Sequence, residues 1–206
     1  NDSLWVGTTT GLYLKTNGNF EKNNLNNDFD NSIIYDLKSS KYGILIASNS
    51  FGLGILNKKG FQTIAVSDGL LSNYIKSIYV DSNNTIWLSS NLGLNKLILN
   101  SSRNIESISS YTTSDGLYSN DVRATYVDNL NQKVYAATAK GLNIIDISKK
   151  SNLVNPPKII ITKKLVNNIS ISENLSHEFK SNSNNFQFNF SGISFKSLGN
   201  ITFKYR

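Results

Sequence analysis

Few residues in this sequence could perform catalytic chemistry. Histidine occurs once, at His177, and cysteine is absent. Zinc enzymes bind their metal through several His, Cys, Asp or Glu side chains, and a cysteine nucleophile needs a thiol. The 14 acidic residues contain no pair whose surroundings mark it as the two carboxylates of a glycosidase. We therefore expect a non-catalytic region without metal or cofactor, in which His177 is a solvated surface residue.

Candidates for binding a ligand follow two similar turns. The turns lie in SDGLLSN at 67–73 and SDGLYSN at 114–120, and each contains an Asp-Gly pair typical of a tight turn. Loops carry much of the binding in proteins with a rigid scaffold. Tyr74, Tyr118 and Asp121 lie in or just after these segments, and they are the candidate ligand-binding residues.

Two other clusters of oxygen-bearing side chains could be mistaken for a calcium site. They lie at 81–84 and 128–131, and each begins with an aspartate. An EF-hand loop needs a central glycine and a terminal glutamate, and both clusters lack them. We expect these side chains to cap turns.

A repeated unit occupies the first three quarters of the chain and contains the turns and strands in which the candidate ligand-binding residues lie. One stretch recurs as LWVGTTTGLYLK at 4–15, ILIASNSFGLGIL at 44–56, IWLSSNLGLNK at 86–96 and VYAATAKGLNII at 134–145. Its glycines are spaced by 41, 41 and 48 residues, at Gly11, Gly52, Gly93 and Gly141. A period of about 40 to 45 residues is typical of a β-propeller or a related array.

Each complete unit predicts four antiparallel strands, which form one propeller blade. In the third unit, the alternation predicts that the first strand presents one set of side chains to each face. These sets are Ile75, Ser77 and Tyr79 and, opposite them, Lys76, Ile78 and Val80. The first unit starts at its second strand and the fourth lacks an outer strand, so about four blades are expected. The chain is either a piece of a larger propeller or a four-bladed ring closed by a terminal strand.

Aromatic residues recur at one strand position of the repeat, as Trp5, Trp87 and Tyr135. An exposed tryptophan could stack on a sugar ring. A position that recurs in successive blades is better explained by packing between blades, since each sheet must bury its faces against its neighbours. We therefore expect these aromatic residues to be structural.

The repeat stops after residues 149–152, and Pro156-Pro157 introduces a different module, so the expected domains are 1–151 and 152–206. Its predicted strands are KIIITKKLV at 158–166, ISIS at 169–172, HEFK at 177–180, NFQFNFSGISF at 185–195 and NITFKYR at 200–206. An immunoglobulin-like sandwich needs about seven strands, so this module is expected to be the start of one. The expected fold class is all-β, with a partial propeller followed by this sandwich.

Charge and hydropathy exclude other partners. The formal net charge is +7, but the basic residues are dispersed and arginine occurs three times. Because nucleic-acid binding needs a concentrated basic surface with interleaved aromatic residues, we expect none. The apolar runs fall short of the about 20 residues that span a bilayer, so membrane contact is expected only through a downstream segment.

The repeat resembles the two-component-regulator propeller repeat. The family pattern combines an Asp-Gly-Leu turn, an apolar strand ending in Asp, a Trp-containing strand and a Gly-Leu turn. The matching parts here are SDGLLSN, IYVDSNN, TIWLSS and LGLNKL. Leu45 and Tyr135 replace the tryptophan in the second and fourth units.

The last module resembles the triple-tyrosine domain that follows these propellers. That domain usually opens with a Pro-Pro pair, and its tyrosine positions fall here on Phe195, Phe203 and Tyr205. The two phenylalanines keep the aromatic volume and lack the hydroxyl, so a packing role is retained at these positions.

The resemblance implies a periplasmic sensor region of a hybrid two-component histidine kinase in the inner membrane. Members of the family often detect oligosaccharides, and the full receptor would be a homodimer. Two alternatives stay open from the residues alone. One is a carbohydrate-binding or carbohydrate-active propeller without a kinase, and the other is a structural propeller for protein interaction.

Overall fold

The computed structural model describes residues 4–23, 29–148, 158–171 and 185–192. Its chain divides into two compact units, Asn1–Lys150 and Ser151–Arg206. Nearly all regular structure in both units is antiparallel strand, which confirms the all-β fold class. Within the described ranges, no helix combines the length and the apolar character that crossing a bilayer requires.

The first unit contains four successive sheets. The first comprises β1 (Trp5–Thr8), β2 (Gly11–Thr16) and β3 (Asn19–Lys22). The second comprises β4 (Ile34–Ser40), β5 (Gly43–Ser48), β6 (Leu53–Asn57) and β7 (Gly60–Ile64). The third comprises β8 (Ile75–Val80), β9 (Ile86–Ser90), β10 (Gly93–Leu99) and β11 (Ile105–Tyr111). The fourth comprises β12 (Val122–Asp128), β13 (Lys133–Thr138) and β14 (Gly141–Asp146).

Successive sheets stack face to face. Adjacent residues of each middle strand point to opposite faces of the sheet, and both are apolar, so each face can pack against a neighbouring sheet. Leu45 and Ile46 are adjacent on β5 and are both fully buried. Leu45 enters the cluster between the second and third sheets, whereas Ile46 enters the cluster between the first and second. Trp87 and Leu88 divide in the same way between the two faces of the third sheet. This stacking confirms the partial β-propeller.

The strands β4, β8 and β12 form one edge of the second, third and fourth sheets. They also contact one another from sheet to sheet. We call β4, β8 and β12 the inner strands. Because they lie side by side, the first residues of three successive blades come close together.

The loops before the inner strands β8 and β12 are built by side-chain hydrogen bonds. The first loop contains the 3-10 turn Val66–Asp68 and the second contains the 3-10 turn Thr113–Asp115. Asp68 accepts the backbone N–H of Ala65 at 2.9 Å, and Asp115 accepts that of Thr112 at 2.9 Å. These carboxylates therefore cap their own turns.

The aspartates in the two oxygen-rich turns also serve local structure. Asp81 is buried, and its carboxylate accepts the backbone N–H groups of Asn83 and Thr85 at 2.9 Å each. Asp128 accepts hydrogen bonds from the side chain and the backbone of Asn131, at 2.7 and 3.0 Å. The side-chain bond from Asn131, followed by the backbone bond, lowers the pKa of Asp128. These contacts agree with turn capping.

The last sheet of the first unit has an exposed apolar face. Val127 and Val134 point to the third sheet and are buried. On the other face, Tyr126, Leu142 and Ile144 are each more than half exposed. The two middle sheets, in contrast, are covered by neighbouring sheets on both faces.

The second unit contains a sheet of three strands, with β15 (Ile159–Val166) between β16 (Ile169–Ser170) and β17 (Phe186–Gly192). The predicted strands at 158–166 and 185–195 are present within the described residues. Phe186, Phe188 and Phe190 alternate along β17 and are about half exposed, at 46, 53 and 49%. The immunoglobulin-like sandwich stays a prediction. The predicted strands at 177–180 and 200–206, His177 and Pro156-Pro157 lie outside the described residues.

Candidate functional site

A β-bulge lies near the beginning of each inner strand. The pairing of β4 with β5 skips Tyr35, that of β8 with β9 skips Lys76, and that of β12 with β13 skips Arg123. A bulge inserts an unpaired residue and changes the direction of its side chain. The same position in three successive blades therefore carries a tyrosine, a lysine and an arginine.

The bulge corrects the predicted faces of β8. Strict alternation puts Ile75 and Ile78 on opposite faces, but the structure buries both in the cluster between the second and third sheets. The extra residue, Lys76, shifts the register between them. Because side-chain direction in a strand has a period of two residues, one inserted residue reverses every later side chain.

The bulged residues meet two residues that immediately precede inner strands. Lys76 forms an ion pair with Asp121, and its Nζ lies 5.4 Å from the centre of the Tyr74 ring. The hydroxyl groups of Tyr74 and Tyr35 share a hydrogen bond with 3.1 Å between the oxygens. Arg123 Nη2 lies 3.9 Å from Asp121 Oδ2. We call Tyr35, Tyr74, Lys76, Asp121 and Arg123 the inner-strand cluster.

The aromatic part of the inner-strand cluster is partly open to solvent. The rings of Tyr35 and Tyr74 lie with centroids 5.3 Å apart and planes tilted by 38°. Tyr35 is 45% exposed. The hydrogen bond with Tyr74 is the main cause that raises the pKa of Tyr35, so this phenol keeps its proton at neutral pH.

The inner-strand cluster can recognise a ligand that has both apolar surfaces and hydroxyl groups. The tyrosine rings offer flat apolar surfaces with a hydroxyl at the edge. Lysine and arginine supply hydrogen-bond donors, and the carboxylate supplies acceptors. Together these groups are suited to binding such a ligand.

The structure joins two of the three predicted ligand-binding residues. Tyr74 and Asp121 both contact Lys76. Tyr118 lies on the loop before β12, where its backbone N–H donates to Asn143 at 2.9 Å and its side chain is 63% exposed. A role of any of the three in ligand binding stays a prediction.

Sequence reasoning missed Tyr35, Lys76 and Arg123. A signal was present in the spacing of apolar residues, since Ile34 and Leu37, like Ile75 and Ile78, are three positions apart. A regular strand with one buried face favours spacings of two. The odd spacing therefore indicates a bulge, although it does not show where the bulged side chain lies.

The aromatic residues at the recurrent strand position are fully or partly buried against other side chains. Trp87 is fully buried between the third and fourth sheets, and its indole N–H donates to the carboxylate of Asp81 at 3.2 Å. Trp5 is partly buried against the cluster between the first and second sheets. Tyr135 is also partly buried, and its ring centroid lies 6.2 Å from that of Tyr126. Phe195, Phe203 and Tyr205 lie outside the described residues.

The repeat matches a known sequence family. The family described as "Two component regulator propeller" matches residues 69–91, which include the end of the loop before β8, β8 itself and all of β9. This match and the fold confirm the resemblance to the two-component regulator propeller repeat. None of the curated proteins matches the chain.

Solved structures show the same fold over most of the chain. One, from B. thetaiotaomicron, is described as the extracellular domain of the hybrid two component system BT3049. It has a TM-score of 0.54 and 18% identity, and the match covers 77% of the present chain and 23% of that chain. A second, described as the extracellular domain of the hybrid two component system BT4673 from B. thetaiotaomicron, has a TM-score of 0.54 and 16% identity over 76% of the present chain and 22% of that chain.

The fold makes the first unit a partial β-propeller, and its residues 69–91 match the two-component regulator propeller repeat. The chain spans less than a quarter of the length of either extracellular domain.

Proposed function

We propose that this chain is part of the extracytoplasmic, ligand-sensing region of a hybrid two-component sensor histidine kinase. The observation that carries the proposal is the inner-strand cluster, which the bulges of three successive blades assemble. The regulator repeat at residues 69–91 and the likeness in fold to extracellular domains of hybrid two-component systems support the same class. In this proposal the chain itself is non-catalytic and lies in the periplasm.

The proposed ligand is an oligosaccharide. A sugar ring has an apolar face that fits the exposed surfaces of Tyr35 and Tyr74. Its hydroxyl groups can accept hydrogen bonds from Lys76 and Arg123 and donate them to Asp121.

The proposed receptor contains further blades. The exposed face with Tyr126, Leu142 and Ile144 supports this, because the corresponding faces of the middle sheets are buried by a neighbouring blade. Such an additional sheet would bury these side chains as the fourth sheet buries Trp87.

Replacing Lys76 by Gln should lower the affinity for the oligosaccharide. Lys76 contacts both Tyr74 and Asp121, so its removal takes away a donor and frees the two neighbours to move. We expect binding by the complete extracytoplasmic region to weaken about tenfold or more, as for a central contact of an interface. A glycan array identifies the ligand, and calorimetry measures its affinity for the wild type and the variant.

One variant serves as a matched control for this experiment. Lys38→Gln removes a lysine from an exposed position further along β4, outside the inner-strand cluster. It should bind with nearly wild-type affinity. Equal losses for Lys76→Gln and Lys38→Gln would mean that overall charge, and not the inner-strand cluster, determines binding.

We further propose that the second unit relays the signal toward the membrane within a homodimer. A ligand can shift a conformational equilibrium only if it binds the two states with different affinity. Deleting residues 152–206 from the full-length receptor should therefore abolish ligand-dependent phosphorylation while ligand binding is retained. Autophosphorylation assays in membranes test this, and a truncated receptor that still responds to ligand would refute the relay.

A further inference from the structure

A cationic cavity lies at the other end of the strands, away from the inner-strand cluster. It has a volume of about 270 Å³ and is formed by three turns of the second and third sheets. Its lining residues are Lys41, Tyr42, Asn57, Lys59, Ser101, Ser102 and Arg103. Three of these are cations and none is acidic, so the cavity favours a negatively charged ligand.

One donor of Arg103, a residue that lines the cavity, lacks an acceptor. The Nη1 atom of Arg103 is buried and has no hydrogen-bond partner in the described part of the chain. A guanidinium N–H that is shielded from water without an acceptor destabilises the protein. A ligand oxygen in the cavity would remove this cost once the guanidinium rotates and turns Nη1 from its water-excluded position toward the cavity.

The backbone holds Arg103 in place independently of its side chain. Its N–H donates to the carbonyl of Asn100 at 3.0 Å, and its carbonyl accepts the side chain of Gln62 at 3.2 Å. The backbone of Arg103 is therefore fixed in the turn before β11, next to β7, and the side chain extends from this fixed backbone. This lowers the entropy that a ligand must overcome to order it.

The other walls of the cavity are also built by hydrogen bonds. Asn57 donates to the carbonyl of Tyr42 at 2.9 Å and accepts the backbone N–H of Lys59 at 2.8 Å. The hydroxyl of Tyr42 donates to the carbonyl of Leu99 at 2.8 Å. Lys41 Nζ lies 4.9 Å from the centre of the Tyr42 ring. These contacts tie the turns of two successive blades together around the cations.

We infer that this cavity is a binding site for an oxyanion, namely a sulfate, phosphate or carboxylate group on a small ligand. A guanidinium presents parallel N–H donors that match two oxygens of such a group, and the lysines add charge. A volume of about 270 Å³ is slightly below the roughly 300 to 1,000 Å³ of drug-sized ligand sites, which favours a small ligand. The site does not depend on the proposed sensor function.

Titration of the full chain with three anions tests this inference. The probes are inorganic sulfate, inorganic phosphate and glucuronate, at constant ionic strength maintained with chloride so that general screening does not change. We expect saturable heat in calorimetry and a thermal midpoint that rises with the logarithm of the bound anion's concentration. A preference for glucuronate identifies a sugar acid, and a preference for sulfate or phosphate identifies a tetrahedral anion.

Variants assign the binding to the cavity. Arg103→Met should lower the affinity for the preferred anion about tenfold. It should not lower the thermal midpoint of the ligand-free protein, because it removes an unsatisfied buried donor. Lys59→Gln should weaken binding less, and the neighbouring Lys58→Gln, outside the cavity, should leave it unchanged. Lack of saturable binding of all three anions, or equal affinity in the wild type, Arg103→Met and Lys59→Gln, would overturn the inference.

Discussion

Replacing Trp87 by Ala should destabilise the propeller unit by about 3–5 kcal/mol, the usual cost of removing a large buried aromatic side chain. Trp87 is fully buried between the third and fourth sheets, and its ring stacks on Tyr111 with centroids 6.0 Å apart. The variant also removes the indole donor of Asp81. Urea denaturation followed by far-ultraviolet circular dichroism measures the loss.

Two variants separate the sources of this effect. Trp87→Phe keeps most of the packing but removes the N–H donor, so it should cost about 1.5–3 kcal/mol, as for a hydrogen bond to a charged group. Tyr135→Ala changes the same repeat position in the last sheet, where the side chain is only partly buried. It should cost about 1–2 kcal/mol. If Trp87→Ala were no more harmful than Tyr135→Ala, packing between the sheets would not depend on this position.

Replacing Gly93 by Ala should cost about 3 kcal/mol, because strain and a steric clash combine. Gly93 has a φ of 138°, which side chains rarely adopt, and an added Cβ would lie 2.5 Å from the carbonyl oxygen of Tyr111. Tyr111 is the last residue of β11, the outer strand of the same sheet. The carbonyl belongs to the backbone and cannot move away without breaking the pairing of β10 with β11.

Gly141 is the matched control for Gly93. It occupies the same turn of the fourth sheet and has a φ of 120°, but an added Cβ has no neighbour within 4 Å. Gly141→Ala therefore introduces strain alone and should cost about 1–2 kcal/mol. If the two variants lost equal free energy of unfolding in the same urea denaturation, contact with the outer strand would not be the reason that position 93 requires glycine.

The comparison of these glycines shows what the repeat does and does not reveal. Both belong to one sequence pattern, and both turns form as predicted. Their steric surroundings differ because the fourth sheet has three strands in the described part of the chain and the third has four. A repeat therefore predicts the conformation of a turn, whereas its surroundings depend on the neighbouring strands.

The candidate site was only partly predictable. Tyr74 and Asp121 were found because they follow the Asp-Gly turns. Lys76 was assigned to a regular alternating strand, and its role between them was missed. The bulge in β8 arises from its pairing with β9, which follows after the turn. In the local sequence, the only sign of this bulge is the spacing of three between two apolar residues.

The strands, the period of the repeat and the all-β class could be predicted from the order of residues, because alternating hydropathy and turn residues act over a few neighbouring positions. The contacts between residues of different blades could not, because they depend on how the sheets pack. Tyr35, Lys76 and Asp121 come from three blades, and their contacts require the inner strands to lie side by side. The cavity around Arg103 has the same origin, since turns far apart in the chain enclose it only when the sheets stack.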